Sequence, residues 1–159
     1  MKKVALLSLT FICSFSALAE TGSLETISSG TYQITTNDFG DSKSSVIVTK
    51  LAGIVTKSDL SFIKTGALIV SECGGASTSD SKGSKVEGTC LSTDADGDKY
   101  KINFSRSNTI GGSNPGTQTW VGLTGKYVGM TATCTYENKS QVISAVIYGS
   151  NLNKCTVTK

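Results

Sequence analysis

Residues 117–136 read TQTWVGLTGKYVGMTATCTY, and the reading of the whole chain starts from them. Gly122, Gly125 and Gly129 lack Cβ, so the backbone there is free to take positive φ or to pass close against another segment. On either side stand Thr119, Trp120 and Val121, then Val128, Met130, Thr131, Thr133, Thr135 and Tyr136. These residue types suit a pleated, half-buried surface, so the stretch is strand, turn, strand.

The same pattern extends outward. Tyr100, Ile102 and Phe104 alternate with Lys99, Lys101 and Asn103, which predicts a strand with one buried and one wet face. With residues 86–93 it brackets the acidic turn TDADGDKY (93–100) as a hairpin. Residues 31–36 and 44–57 are β-branched-rich strands around the turn at 37–41, with Gly53 marking a bulge in the second. Residues 60–73, interrupted at Gly66, read as one bent strand or two short ones. The polar, aperiodic segment GGASTSDSKGSK (74–85) reads as a mobile loop, and SNTIGGSNPG (107–116) as a second one. A last hairpin is expected from 141–148 and 154–158, joined through 149–153. Many short antiparallel strands in one domain favour a closed barrel or a sandwich, because closure removes exposed edges.

The N-terminus has a different grammar. Lys2 and Lys3, an apolar run over 4–17 and the triplet Ala17-Leu18-Ala19 form the three parts of a secretory signal peptide, cleaved after Ala19. The apolar run is shorter than the ~20 residues a bilayer requires, so no stable membrane anchor is expected after cleavage. Cys13 belongs to the discarded leader. Removing residues 1–19 from the 159 leaves 140, enough for one domain over 20–159, in the periplasm or outside the cell. Two of the 15 basic residues lie in the leader, so 13 face 12 acidic ones. That balance argues against nucleic acid as a partner, and Arg106 is the only arginine.

The chain has no histidine, which excludes a histidine general base, a histidine-containing triad and the usual zinc site. Cys73, Cys90, Cys134 and Cys155 remain. In an exported protein an even number reads as two disulfides, with three pairings possible. A tetrathiolate zinc site is the alternative, but spacings of 17, 44 and 21 contain no CxxC pair. No metal or cofactor is expected.

The run WVGLTGKYVG (120–129), preceded by a strand cysteine and by Asp94, Asp96, Gly97 and Asp98, resembles small secreted bacterial proteins related to the allene oxide cyclase and dirigent β-barrels. The matching pieces lie between Ser71 and Tyr136, and Leu123 and Ala132 stand where that pattern has glycine. The resemblance implies an antiparallel barrel of about eight strands, in which local pairing, Cys73 with Cys90 and Cys134 with Cys155, is the simplest connectivity. It also implies an interior able to hold a small apolar or phenolic ligand without a cofactor.

Asp94, Asp96 and Asp98 present three carboxylates at alternate positions. Lys99 stands where an EF-hand loop needs glycine and Ser105 where it needs the closing glutamate, so a structural turn with Gly97 in the left-handed region is expected rather than a calcium loop. Trp120, Tyr100, Tyr127, Tyr136 and Phe104 are candidates for a cavity lining, with packed core as the competing reading. The sharper expectation places Trp120 at an apolar cavity in one mouth, with Tyr100, Ile102 and Phe104 on the neighbouring wall. Glu87 and Glu137 have no nameable activating partner. The sequon Asn138-Lys139-Ser140 reads as a turn. With no recognisable catalytic set, a non-catalytic ligand-binding protein ranks ahead of a module that binds or inhibits another protein, and both rank ahead of a cofactor-free isomerase or cyclase.

Overall fold

The computed structural model describes residues 19–109 and 114–159; the expected signal peptide up to residue 18 lies outside the described residues, as does part of the 107–116 segment. Eight strands follow one another: β1 (Thr21–Asp38), β2 (Ser42–Ser58), β3 (Leu68–Asp80), β4 (Gly83–Asp94), β5 (Lys99–Thr109), β6 (Gly116–Gly122), β7 (Thr131–Ile143) and β8 (Val146–Thr158). Each pairs antiparallel with its neighbour in the chain, and β8 returns to β1, closing the barrel. The expected all-β barrel of about eight strands is therefore present. Closure gives every strand a neighbour on both sides, and β3 and β4 are paired along their length, which lets sequences as polar as theirs remain in the sheet.

That effect accounts for the main corrections. Residues 74–85 do not form a loop: β3 and β4 run through them, paired from Ile69↔Asp94 to Asp80↔Gly83. Asp80 Oδ1 accepts from the backbone N–H of Lys82 (2.7 Å) and Gly83 (3.2 Å) and so closes a tight turn. Glycine, aspartate and lysine, which occur in this segment, are depleted from strands, but here flanking strands supply both ladders. Likewise 149–153 is no connection. β8 is continuous, and the turn sits at Ser144 and Ala145, both at positive φ (49° and 65°). Gly53 pairs regularly with Ser28, and the register shift in this pair of strands lies between Glu25 and Thr26. Asn138 is in β7, not in a turn.

The two ends of the barrel differ. At one end two connections, β2–β3 and β6–β7, are long and fold inward. The β2–β3 connection buries Leu60 and Ile63, tied down by Ser61, whose N–H and hydroxyl both donate to the Glu20 carboxylate (2.5 and 2.6 Å). The β6–β7 connection, with a 3-10 turn at Gly125–Tyr127, buries Tyr127 and Met130. Gly122 is required there, since a Cβ would overlap the carbonyl oxygen of Tyr127. Above these plugs Leu24, Val55, Ile69, Tyr100, Trp120 and Val157 fill the barrel. The Tyr100 and Trp120 rings stack at 4.9 Å, and Tyr127 tilts against Tyr100 at 4.9 Å.

Both disulfides lie inside the barrel, each between directly opposed residues of adjacent strands: Cys73 with Cys90, and Cys134 with Cys155, both at Cα–Cα 4.0 Å. They close sequence separations of 17 and 21 residues, for which loop entropy gives about 3 kcal/mol each through the unfolded state. Two buried disulfides suit an oxidising compartment.

Candidate functional site

At the other end the connections of β1–β2, β3–β4 and β7–β8 are short turns, and among the described residues nothing folds inward to fill the interior. The result is a chamber of about 210 Å³, walled by apolar side chains such as Ile34, Ile47, Leu51, Val86, Phe104 and Ile147 and by the Cys73–Cys90 disulfide. Inward positions alternate along each strand, so Tyr32 and Ile34 of β1, Phe104 and Arg106 of β5, and Tyr136 and Asn138 of β7 reach it as i, i+2 pairs.

Three rings shape the chamber, each lying over a glycine. Tyr136 occupies the space that a side chain on Gly116 would take, Tyr32 that of Gly149, and Phe104 that of Gly75 and Gly88. A glycine inside a strand leaves a dent in the wall, and an aromatic side chain laid into the dent restores packing at a sheet position otherwise weakened. Flattened against the wall, the rings leave the axis of the barrel unfilled. Phe104 meets Tyr136 edge-on at 6.5 Å.

Polar groups are arranged in two bonded sets. At the base, Trp120 Nε1 donates to Gln118 Oε1 (2.8 Å), Gln118 Nε2 to Asn153 Oδ1 (3.1 Å), and Asn153 Nδ2 to Thr26 Oγ1 (2.9 Å). This relay joins the filled half to the hollow one and consumes the polar atoms that burial would otherwise leave unpaired. Higher up, Asn138 Nδ2 donates to Tyr32 Oη (3.2 Å) and Asn151 Oδ1 (2.9 Å), and Asn151 Nδ2 also donates to Tyr32 Oη (3.2 Å). Arg106 lines the chamber and donates from Nε to Asn108 Oδ1 (3.3 Å). Burial raises the pKa of Tyr136, the positive charge of Arg106 works against that rise, and Tyr32 adds to it.

Of the residues expected at a cavity, Phe104 and Tyr136 line the chamber. Trp120, Tyr100 and Ile102 do not: they belong to the filled half, because Tyr127 and Met130 fold beneath them and close that mouth. Burial drives the pKa of the Tyr100 hydroxyl far above its ordinary value, with a hydrogen bond to Ser92 opposing it. The chamber thus lies away from Trp120, in the other half of the barrel. Tyr32, Asn151 and the inward aim of Arg106 were missed. The alternation Tyr32, Ile34 was the available signal, while Arg106 reads as part of a loop edge unless the full length of β5 is known.

The acidic turn forms a structural site at the plugged end. Gly97 has φ 85°, Asp94 Oδ1 accepts from the N–H groups of Asp96 (2.9 Å) and Asp98 (3.0 Å), and Asp98 Oδ2 accepts from the N–H of Lys126 (3.0 Å). Lys126 Nζ bridges Asp94 Oδ2 (2.7 Å) and Asp96 Oδ2 (2.5 Å). Burial works to raise the pKa of Asp94, but hydrogen bonds from Lys126, Tyr127 and the Asp98 and Asp96 N–H groups outweigh it and hold the carboxyl below its ordinary value. The TGKY segment and the acidic turn are one unit, in which the lysine of the first pairs with two of the three carboxylates of the second.

No protein-family model matches the chain, and the search of curated proteins gives no match.

Proposed function

We propose that this is an exported, non-catalytic β-barrel protein that holds a small apolar ligand in the open half of its barrel. The observation that carries the reading is the chamber itself: apolar walls, an aromatic lining held against glycines, and a mouth edged, among the described residues, by short turns. Most small barrels fill their interior, and an unfilled half with a few placed polar groups is the form that ligand sites take. The resemblance to allene oxide cyclase and dirigent barrels supports the same reading, with a periplasmic or secreted location implied by the leader.

The test is a panel of phenolics and short fatty acids followed by Trp120 emission and by melting. Trp120 sits outside the chamber but shares a hydrogen bond with Gln118 in its wall, so occupancy alters its surroundings. A ligand at a hundredfold excess over Kd should stabilise the fold by about 2.7 kcal/mol. Leu51→Trp, which fills the chamber, should remove the response. A panel that shifts neither emission nor Tm overturns the reading.

A second reading, a module that binds another protein, draws on the outer wall. Ile27 pairs with Ile54 and Ile54 with Leu68, an exposed apolar row crossing three strands, with Leu68 61% exposed. Pull-down from the surrounding medium, with Leu68→Lys as control, separates it from ligand binding.

A further inference from the structure

We propose that the Cys73–Cys90 disulfide is a thiol-exchange site, reached through the chamber by compact thiols of low polarity and closed to larger reductants. The inference rests on the geometry of the chamber and needs no ligand to occupy it.

The two disulfides differ in what stands between them and the open end. In β3 and β4 the next inward positions toward that end are Gly75 and Gly88, which carry no side chain, and the Cys73–Cys90 bridge forms part of the chamber wall. In β7 and β8 the corresponding positions are Tyr136 and Asn153, paired across the ladder. Tyr136 is laid over Gly116, and Asn153 is hydrogen-bonded to Gln118 and Thr26. Cys134 and Cys155 accordingly do not line the chamber. Burial alone would not separate the bridges, since Cys155 is 6% exposed, as are Cys73 and Cys90. The space that each bridge borders does separate them. The end of the Phe104 ring lies over Gly75 and Gly88, so an entering thiol meets this ring before it meets the sulfurs.

The exchange conserves electrons and atoms. A thiolate attacks one sulfur of the bridge, the Cys73–Cys90 bond breaks, and a mixed disulfide forms while the other cysteine leaves as a thiolate and takes up the proton the reagent lost. A second thiolate then attacks the mixed disulfide and releases the oxidised reagent as its own disulfide. Two electrons have passed from two small thiols to the bridge, which ends as two cysteine thiols.

Size and polarity select the reagent. A dry cavity of about 150 Å³ accepts benzene, so about 210 Å³ admits a thiol of a few heavy atoms. Charges beyond the thiolate itself would have to be stripped of water beside apolar walls, which disfavours peptide thiols. A protein reductase cannot bring its cysteine to a bridge that faces the inside of the barrel.

The test is reduction of the native, disulfide-intact protein at about pH 8, where small thiols are partly ionised, by 2-mercaptoethanol and, separately, by glutathione. Iodoacetamide stops each reaction, peptide mass mapping assigns the alkylated cysteines, and every rate is taken relative to the same reagent acting on urea-unfolded protein. With 2-mercaptoethanol, Cys73 and Cys90 should be labelled at least about tenfold faster than Cys134 and Cys155, the difference that access makes. Glutathione should show a smaller preference. Leu51→Trp, which fills the chamber, should slow labelling of Cys73 and Cys90 and leave Cys134 and Cys155 unchanged, whereas Phe104→Ala should speed it. Equal rates at the two bridges, earlier labelling of Cys134 and Cys155, or no slowing by Leu51→Trp in a variant that melts normally overturns the proposal. A silent panel of phenolics and fatty acids bears only on the ligand reading and leaves these outcomes to decide the exchange site.

Discussion

Asp94 shows how one buried carboxylate organises a loop from another part of the chain. Its side chain is only 3% exposed, while that of its partner Lys126 is 30% exposed. Removing the lysine strands a carboxylate whose remaining partners are neutral. Lys126→Met is expected to destabilise by about 2 kcal/mol, below the 3–5 typical of a fully buried pair because water still reaches Lys126. The pH dependence has a definite sign. Asp94 is lowered in the folded state, so its contribution is present above the ordinary carboxylate value near 4 and is lost as pH falls through the lower folded value. Lys126 is raised, chiefly by hydrogen bonds to Asp94 and Asp96, so its contribution is full below about 10.4 and disappears as pH rises through the folded value. Urea unfolding should show the full gap between native and variant protein at pH 7 and a reduced one at pH 2.

At the scale of elements, connections decide which half of the barrel is filled. The β6–β7 connection plugs its end only because Gly122 lets the Tyr127 carbonyl lie against it. Gly122→Ala should cost about 3 kcal/mol, since the obstruction is backbone and cannot rotate away. The β7–β8 turn gives the opposite case. Ser144 and Ala145 both hold positive φ, a conformation that costs an L-residue about 1–2 kcal/mol. Two-residue hairpin turns of this kind favour Asn-Gly, so Ser-Ala gives no turn signal and the true hairpin was illegible. Ala145→Gly should stabilise by about 1 kcal/mol, visible as a higher urea midpoint with an unchanged slope. A loss of stability in that variant would contradict the assigned turn.

For the whole molecule, the division into halves predicts uneven stability. Around the plugs, Leu24, Val55, Tyr100, Trp120 and Val157 are at most 2% exposed, whereas residues 33–41 and 139–146 are exposed throughout. Regions with few buried apolar contacts open without global unfolding. Amide exchange should therefore be slowest in the lower parts of β1, β5 and β8 and fastest at the β1–β2 and β7–β8 tips. A saturating ligand should slow exchange near the chamber first. Uniform protection along β1 would contradict the division.

Alternation of apolar residues was enough to mark strands at 99–105 and 117–136, and the even set of cysteines was enough to mark two disulfides. Both are local signals, set by the period of a strand and by thiol chemistry. The absence of histidine and the near-balanced charge likewise needed no structure. The extent of β3 and β4 through a serine- and glycine-rich stretch was not legible, because the hydrogen bonds that hold it there come from strands distant in sequence. The position of the cavity was not legible either. Trp120, Tyr100, Tyr136 and Phe104 are all aromatic and all inward. Whether a ring fills the axis or lies against the wall depends on what stands opposite: Tyr127 and Met130 beneath the first two, Gly116 and Gly88 behind the others. Those neighbours are chosen by closure of the barrel, a relation between strands that no single stretch of sequence contains.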